Sequence, residues 1–115
     1  MRKIYHLATC STCKRVITSL NNGAGFEFQN IKVDSINEDQ LDSLKDIAGS
    51  YEALFSRRAM KYRSLGLGDK NLTESDYRQL ILDEYTFLKR PVVIIDDQLF
   101  IGSSKKVVES AIKAL

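Results

Sequence analysis

Apolar positions along the chain fall into short blocks whose period changes several times. Lys3–Leu7 is apolar and aromatic and predicts a strand. Polar Thr9–Thr12 interrupts it, after which Val16, Ile17 and Leu20 recur at helical spacing. Asn21-Asn22-Gly23 closes that helix, since Asn and Gly tolerate the left-handed conformation of a helix end. Phe26 and Phe28 then alternate with Glu27 and Gln29, which predicts a second strand. The parity slips to Ile31 and Val33, marking a bulge or strand end near Asn30. Strand, helix and strand in about 30 residues make a βαβ unit with a parallel pair.

The middle of the chain reads as helical. Asn37 caps a helix with Gln40 three residues on, and Leu41, Leu44 and Ile47 form its apolar stripe up to Gly49. Tyr51–Leu65 carries Leu54, Phe55 and Tyr62 at helical spacing and predicts a further helix. Leu65-Gly66-Leu67-Gly68 reads as a loop, and Thr73 caps a helix bearing Tyr77, Leu80, Ile81 and Tyr85. Strands return at the end. Val92–Ile95 is a continuous apolar run, as in a strand covered on both faces, and Asp96-Asp97 turns it into Leu99–Ile101. Gly102 and Ser103-Ser104 open a last helix with Val107, Val108, Ala111, Ile112 and Leu115 on one side. The order βαβ, helices, ββα describes one α/β domain over 1–115 with a mixed sheet and a helical insertion at about 37–87.

Composition narrows the functions. At 115 residues the chain suits a single domain, and 17 basic against 15 acidic residues, spread along its length, give no basic stripe for nucleic acid. There is no apolar run of membrane-spanning length. The N-terminus turns polar before a secretory signal develops, so the expected compartment is the cytoplasm, where thiols stay reduced.

Two cysteines are too few for a disulfide scaffold, and their spacing carries the information. Cys10-Ser11-Thr12-Cys13 stands where the first strand hands over to the first helix. Unpaired N–H groups and the positive dipole end there favour an anion, so Cys10 is expected to be an acidic, nucleophilic thiolate. Cys13 lies one turn on, within disulfide reach and further inside the helix, which suits a covered resolving thiol. A CxxC after a strand of a βαβ unit is a redox pattern. The alternatives are two packing cysteines, or half of a zinc site for which the chain holds only one histidine.

Three further positions are candidates. His6 is placed by strand parity either toward Cys10 or into the core as a satisfied histidine. Arg90-Pro91 precedes the buried strand: Pro91 is the one proline, a possible cis site, and Arg90 could offer a planar donor fork to an oxyanion or remain a surface arginine. Arg57-Arg58 reads by itself as a wet helix face.

These segments together resemble the arsenate reductase (ArsC) family, which includes the Spx-type transcription regulators. The resemblance runs over Tyr5-His6-Leu7-Ala8-Thr9-Cys10, over Ala53-Leu54-Phe55 and Tyr62-Arg63-Ser64-Leu65-Gly66-Leu67, and over Leu88-Lys89-Arg90-Pro91-Val92-Val93. It implies a thioredoxin-like fold, Cys10 as nucleophile supported by His6, and Arg58 and Arg90 as oxyanion holders. Pro91 is implied to be a cis proline facing the cysteine. The implied activity is a thiol-dependent reductase acting on a small oxyanion or disulfide, with no bound cofactor and no metal. Cys13 or glutathione would resolve the adduct, and glutathione, glutaredoxin or thioredoxin would supply electrons. The best-studied arsenate reductases of this family carry a third arginine just after the last strand, where this chain has Ile101-Gly102 leading into Ser103. The alternative implied function is a Spx-like redox sensor whose partner is RNA polymerase.

Overall fold

A computed structural model describes all residues, Met1–Leu115. The chain divides into two units, 1–34 with 90–115, and 35–89.

In the first unit the strands are β1 (Arg2–His6), β2 (Glu27–Asn30), β3 (Val92–Ile95) and β4 (Gln98–Ile101), ordered β2-β1-β3-β4. β1 and β2 are parallel, as the βαβ pattern requires, while β3 and β4 run antiparallel to their neighbours. The expected mixed sheet is therefore present. Helices α1 (Ser11–Ser19) and α5 (Lys105–Ala114) supply Val16, Leu20, Val108 and Ala111 to a core shared with Ile4, Phe26, Val93 and Ile95. Each large aliphatic so covered contributes roughly 1.5–3 kcal/mol. The β3–β4 turn uses Asp96 at φ 55°, and Ser104 caps α5 by accepting from the Val107 N–H at 3.2 Å.

Two positions depart from the alternation expected around the second strand. Phe28 is 44% exposed and Gln29 only 5%, because Gln29 turns inward and its amide donates to the Asp34 carbonyl at 3.0 Å. Phe28 instead lies edge-on to His6, with ring centroids 5.4 Å apart, and against Gly23, where any Cβ would meet its ring. The strand ends at Asn30 and Val33 is exposed.

The second unit contains α2 (Glu38–Ala48), α3 (Met60–Ser64) and α4 (Glu74–Asp83). The capping boxes Asn37/Gln40 and Thr73/Asp76 are both formed, and Gly49 takes φ 95° to end α2. Ile47 falls outside the buried stripe, and Tyr85 lies past α4 in a short 3-10 turn, Tyr85–Phe87. Leu67–Asp69, expected within or beside a loop, forms another 3-10 turn.

The continuous helix expected over Tyr51–Leu65 does not form. A 3-10 turn at Glu52–Leu54 gives way to extended Phe55, which makes a β-bridge with Leu88. Ser56 N–H donates to Phe87 and Lys89 N–H to Leu54, so this backbone is satisfied across the chain rather than along it. The fully buried Phe55 ring sits 4.9 Å from Tyr77 and 5.0 Å from Phe87, an aromatic core that an extended Phe55 places and a helix would lose. None of the helices is long and apolar enough to cross a membrane.

Candidate active site

Cys10 closes the turn that follows β1. Its N–H donates to the Leu7 carbonyl at 2.9 Å, and its own carbonyl accepts from Lys14 N–H at 3.1 Å as the first bond of α1. With φ −86° and ψ 117° it is the N-cap residue of that helix, where first-turn N–H groups lack carbonyl partners. The thiol itself makes no capping bond; the anion is what the surroundings favour. Burial is the largest single influence on Cys10 and opposes ionisation. It is outweighed by the N–H of Cys13, the Cys13 thiol, the N–H of Thr12 and the Arg90 side chain, so the Cys10 pKa lies below its ordinary value.

Cys13, one turn on, is fully buried while Cys10 is half-buried. Its pKa is pushed up to about 11, first by burial and further by the hydrogen bond to Cys10 and its charge, against the opposing N–H of Leu7. Both cysteines are free thiols. The two sulfurs thus share a site and are driven in opposite directions: one toward a thiolate, the other toward a neutral donor beside it.

The Arg90 side chain also favours the Cys10 anion, and its charge opposes the rise of the Cys13 pKa. The Arg90–Pro91 peptide is cis, Pro91 is buried, and its carbonyl accepts from Gly102 N–H at 2.9 Å. His6 stands at the end of β1, half-buried, with its ring against Phe28 and its carbonyl accepting from Ile31 N–H at 2.9 Å. Burial lowers its pKa, which favours the neutral imidazole. The structure thus gathers Cys10, Cys13 and Arg90 and puts His6 on the strand leading to them.

Arg58 belongs to the 35–89 unit. The pair Arg57-Arg58 is resolved there by its neighbours: Arg57 Nη2 donates to Glu52 at 2.6 Å and to the Tyr77 hydroxyl at 3.0 Å. Arg58 is exposed and its guanidinium is outside any ion pair, so of the two it is the one left available for an anion. Thr12, whose N–H supports the Cys10 anion, was not singled out by sequence, because a backbone donor leaves no mark on residue identity. No group of three or more His, Cys, Asp or Glu side chains gathers as a metal site.

Comparison with known proteins finds relatives by sequence and by fold. The chain is 26% identical over 102 residues to the global transcriptional regulator Spx 2 of Bacillus anthracis, covering 86% of this chain and 77% of that one. Its fold matches an arsenate reductase from Vibrio cholerae with a TM-score of 0.80 at 21% identity, over 99% of this chain and 97% of the other. It also matches the solution structure of an arsenate reductase (ArsC) related protein from Brucella melitensis, with a TM-score of 0.73 at 25% identity over 97% and 94% of the two chains. Those likenesses fit the thioredoxin-like fold and its helical segment. The family model described as ArsC matches residues 5–111, from the strand before Cys10 to the last helix, and the chain belongs to the ArsC family.

Proposed function

We propose that this protein is a thiol-dependent reductase in which Cys10 is the attacking thiolate. The observation that carries the reading is the placement of Cys10 at the N-cap of α1 with the buried Cys13 one turn on, where the surroundings hold the Cys10 pKa below its ordinary value despite burial. In the disulfide reaction the Cys10 thiolate attacks one sulfur of R–S–S–R. A Cys10–S–R bond forms, the S–S bond breaks, and R–S⁻ leaves with the electron pair. Cys13 then loses its proton to solvent and attacks the Cys10 sulfur, expelling the second R–S⁻ and leaving a Cys10–Cys13 disulfide. Two electrons have passed from the protein to the substrate, and glutathione, glutaredoxin or thioredoxin returns them. A reducing compartment such as the cytoplasm is where this cycle turns.

The Cys13 pKa makes resolution the slower step. Once Cys10 is tied up in the adduct, its charge and its hydrogen bond no longer hold Cys13 protonated, but burial, the largest contribution, remains. An external thiol therefore competes with Cys13 for the adduct. With an oxyanion substrate, the same thiolate attacks while Arg90 holds the negative charge, and His6 supports the strand end. The test is reduction of a small disulfide coupled to each donor system, in wild type, Cys10→Ser and Cys13→Ser. Loss of turnover with Cys10→Ser, and retained glutathione-driven turnover with Cys13→Ser, support the reading; equal turnover in wild type and Cys10→Ser refutes it.

The likeness to a transcriptional regulator over 86% of the chain favours a second reading. In it, the same thiol pair is a redox sensor and the partner is RNA polymerase. Capture of purified polymerase by the reduced or the oxidised protein, without disulfide turnover, would select it over the reductase.

A further inference from the structure

The unit that carries Cys10 holds another cation tied to this end of the sheet. Arg15 lies in α1, five residues after Cys10, or about 7.5 Å further along the helix axis. Long helical side chains lean back toward the helix N-terminus, here the Cys10 end. Arg15 Nη2 donates to the Ser103 carbonyl, in the loop from β4 to α5, at 3.3 Å. That loop is pinned to the thiol site. Gly102 N–H donates to the Pro91 carbonyl, and the residue before Pro91 is Arg90, whose side chain favours the Cys10 anion. Cys10, Arg90, Pro91, Gly102, Ser103 and Arg15 thus form a run of neighbours that leaves the N-cap of α1 and returns to its second turn.

The Arg15 guanidinium is held but not neutralised. It is exposed, outside any ion pair, and the Ser103 carbonyl takes one of its five N–H donors. Tethering restrains the side chain before any ligand arrives, which lowers the entropy lost on binding. Basic residues also outnumber acidic ones in this unit, whereas the reverse holds over 35–89. A positioned, unpaired planar fork on the helix that Cys10 caps suits a carboxylate belonging to whatever reacts at that thiol.

We infer that Arg15 binds a carboxylate of the sulfur compound that reacts at Cys10, so that the site prefers disulfides bearing a carboxylate near the sulfur to neutral or cationic ones. Glutathione disulfide is one member of that class. The inference rests on Cys10 being the attacking thiolate. In the step, Cys10 sulfur bonds to one R–S group while its carboxylate is held by Arg15, the S–S bond breaks, and the other R–S⁻ departs with the electron pair.

The experiment measures second-order rates of thiolate release from glutathione disulfide, 2-hydroxyethyl disulfide and cystamine at pH 7 and low salt. Each rate is divided by that of free cysteine with the same disulfide, which removes differences in intrinsic reactivity. Wild type should favour glutathione disulfide over 2-hydroxyethyl disulfide by about fivefold, the size of one exposed ion pair, with cystamine slowest. Arg15→Ala should bring that ratio close to one, and Arg15→Lys should retain part of it. Lys14→Ala, which removes the neighbouring charge, should leave it unchanged. Because each ratio is taken within one variant, partial loss of folded protein does not move it. If Arg15→Ala keeps the wild-type ratio, or Lys14→Ala lowers it equally, the inference is overturned, and the charge of the unit as a whole selects the anion. If Cys10 reacts with none of the three faster than free cysteine does, the reductase reading itself fails and the inference falls with it.

Discussion

At neutral pH an alkylating reagent should discriminate sharply between two thiols one helical turn apart. The Cys13 pKa of about 11 leaves only about one part in 10⁴ ionised at pH 7. A thiol at the ordinary value of 9.0 would be about 1% ionised, and Cys10 lies below that value. Ionisation alone therefore favours Cys10 by at least about 100-fold. The more basic Cys13 anion is the better nucleophile once formed, and with a Brønsted slope of ~0.4–0.5 this returns roughly eightfold. The chemical preference is thus about tenfold or more before access is considered, and the complete burial of Cys13 adds to it. Pulse labelling with iodoacetamide, quenching in denaturant with a heavy-isotope reagent, and peptide mass analysis from pH 5 to 10 reads both rates. The midpoint of the Cys10 rate profile should fall below that of an unperturbed thiol, while any labelling of Cys13 should still be rising at pH 10. Comparable rates at pH 7, or a Cys10 midpoint at or above that of an unperturbed thiol, would refute the assignment.

Alkaline stability should report the same buried thiol. A group whose folded pKa is raised contributes stability that is fully present below its unfolded pKa and is lost as pH rises through the folded value, so Cys13 should cost about 2 kcal/mol between pH 9 and 11. Urea unfolding should show a shallower loss over that window in Cys13→Ala than in wild type. The two adjacent arginines should separate: Arg57→Ala loses its bonds to Glu52 and Tyr77 and up to about 1 kcal/mol of stability. Arg58→Ala, which removes a guanidinium outside any ion pair, should leave the urea midpoint nearly unchanged. Finally, wild type should turn over mixed disulfides faster than arsenate, since the leaving thiolate carries its own charge whereas arsenate must be stabilised by fixed cations. Ser103→Arg should raise arsenate reduction selectively; efficient arsenate reduction by wild type, unaffected by that substitution, would count against it.

Local signals carried well from sequence to structure. The thiol site could be read because its components are local: a strand, a polar break and a helix start fix Cys10 at an N-cap and Cys13 one turn inside. Asn37/Gln40 and Thr73/Asp76 were equally legible, as a capping box is a four-residue event. Tyr51–Leu65 was misread because the conformation of Phe55 is set by Leu88, Tyr77 and Phe87, which no window around Phe55 contains. The inward turn of Gln29 follows from its bond to the Asp34 carbonyl, and residue type alone would have put Phe28 inside instead. Which of Arg57 and Arg58 stays unpaired depends in the same way on Glu52 and Tyr77. The alignment of Arg90 with the Cys10 sulfur was implied by family resemblance rather than by the pattern of the chain.

The central claim is that Cys10 is the thiol that attacks. Its most direct test is to mix Cys13→Ser, in which no internal resolution can follow, with glutathione disulfide at pH 7. Released thiolate is followed in time and the product is mapped by mass. The account predicts one glutathione adduct per chain, on Cys10, accumulating faster than on free cysteine and in step with one equivalent of released thiolate. An unmodified Cys10, or an adduct forming no faster than on free cysteine, would contradict it.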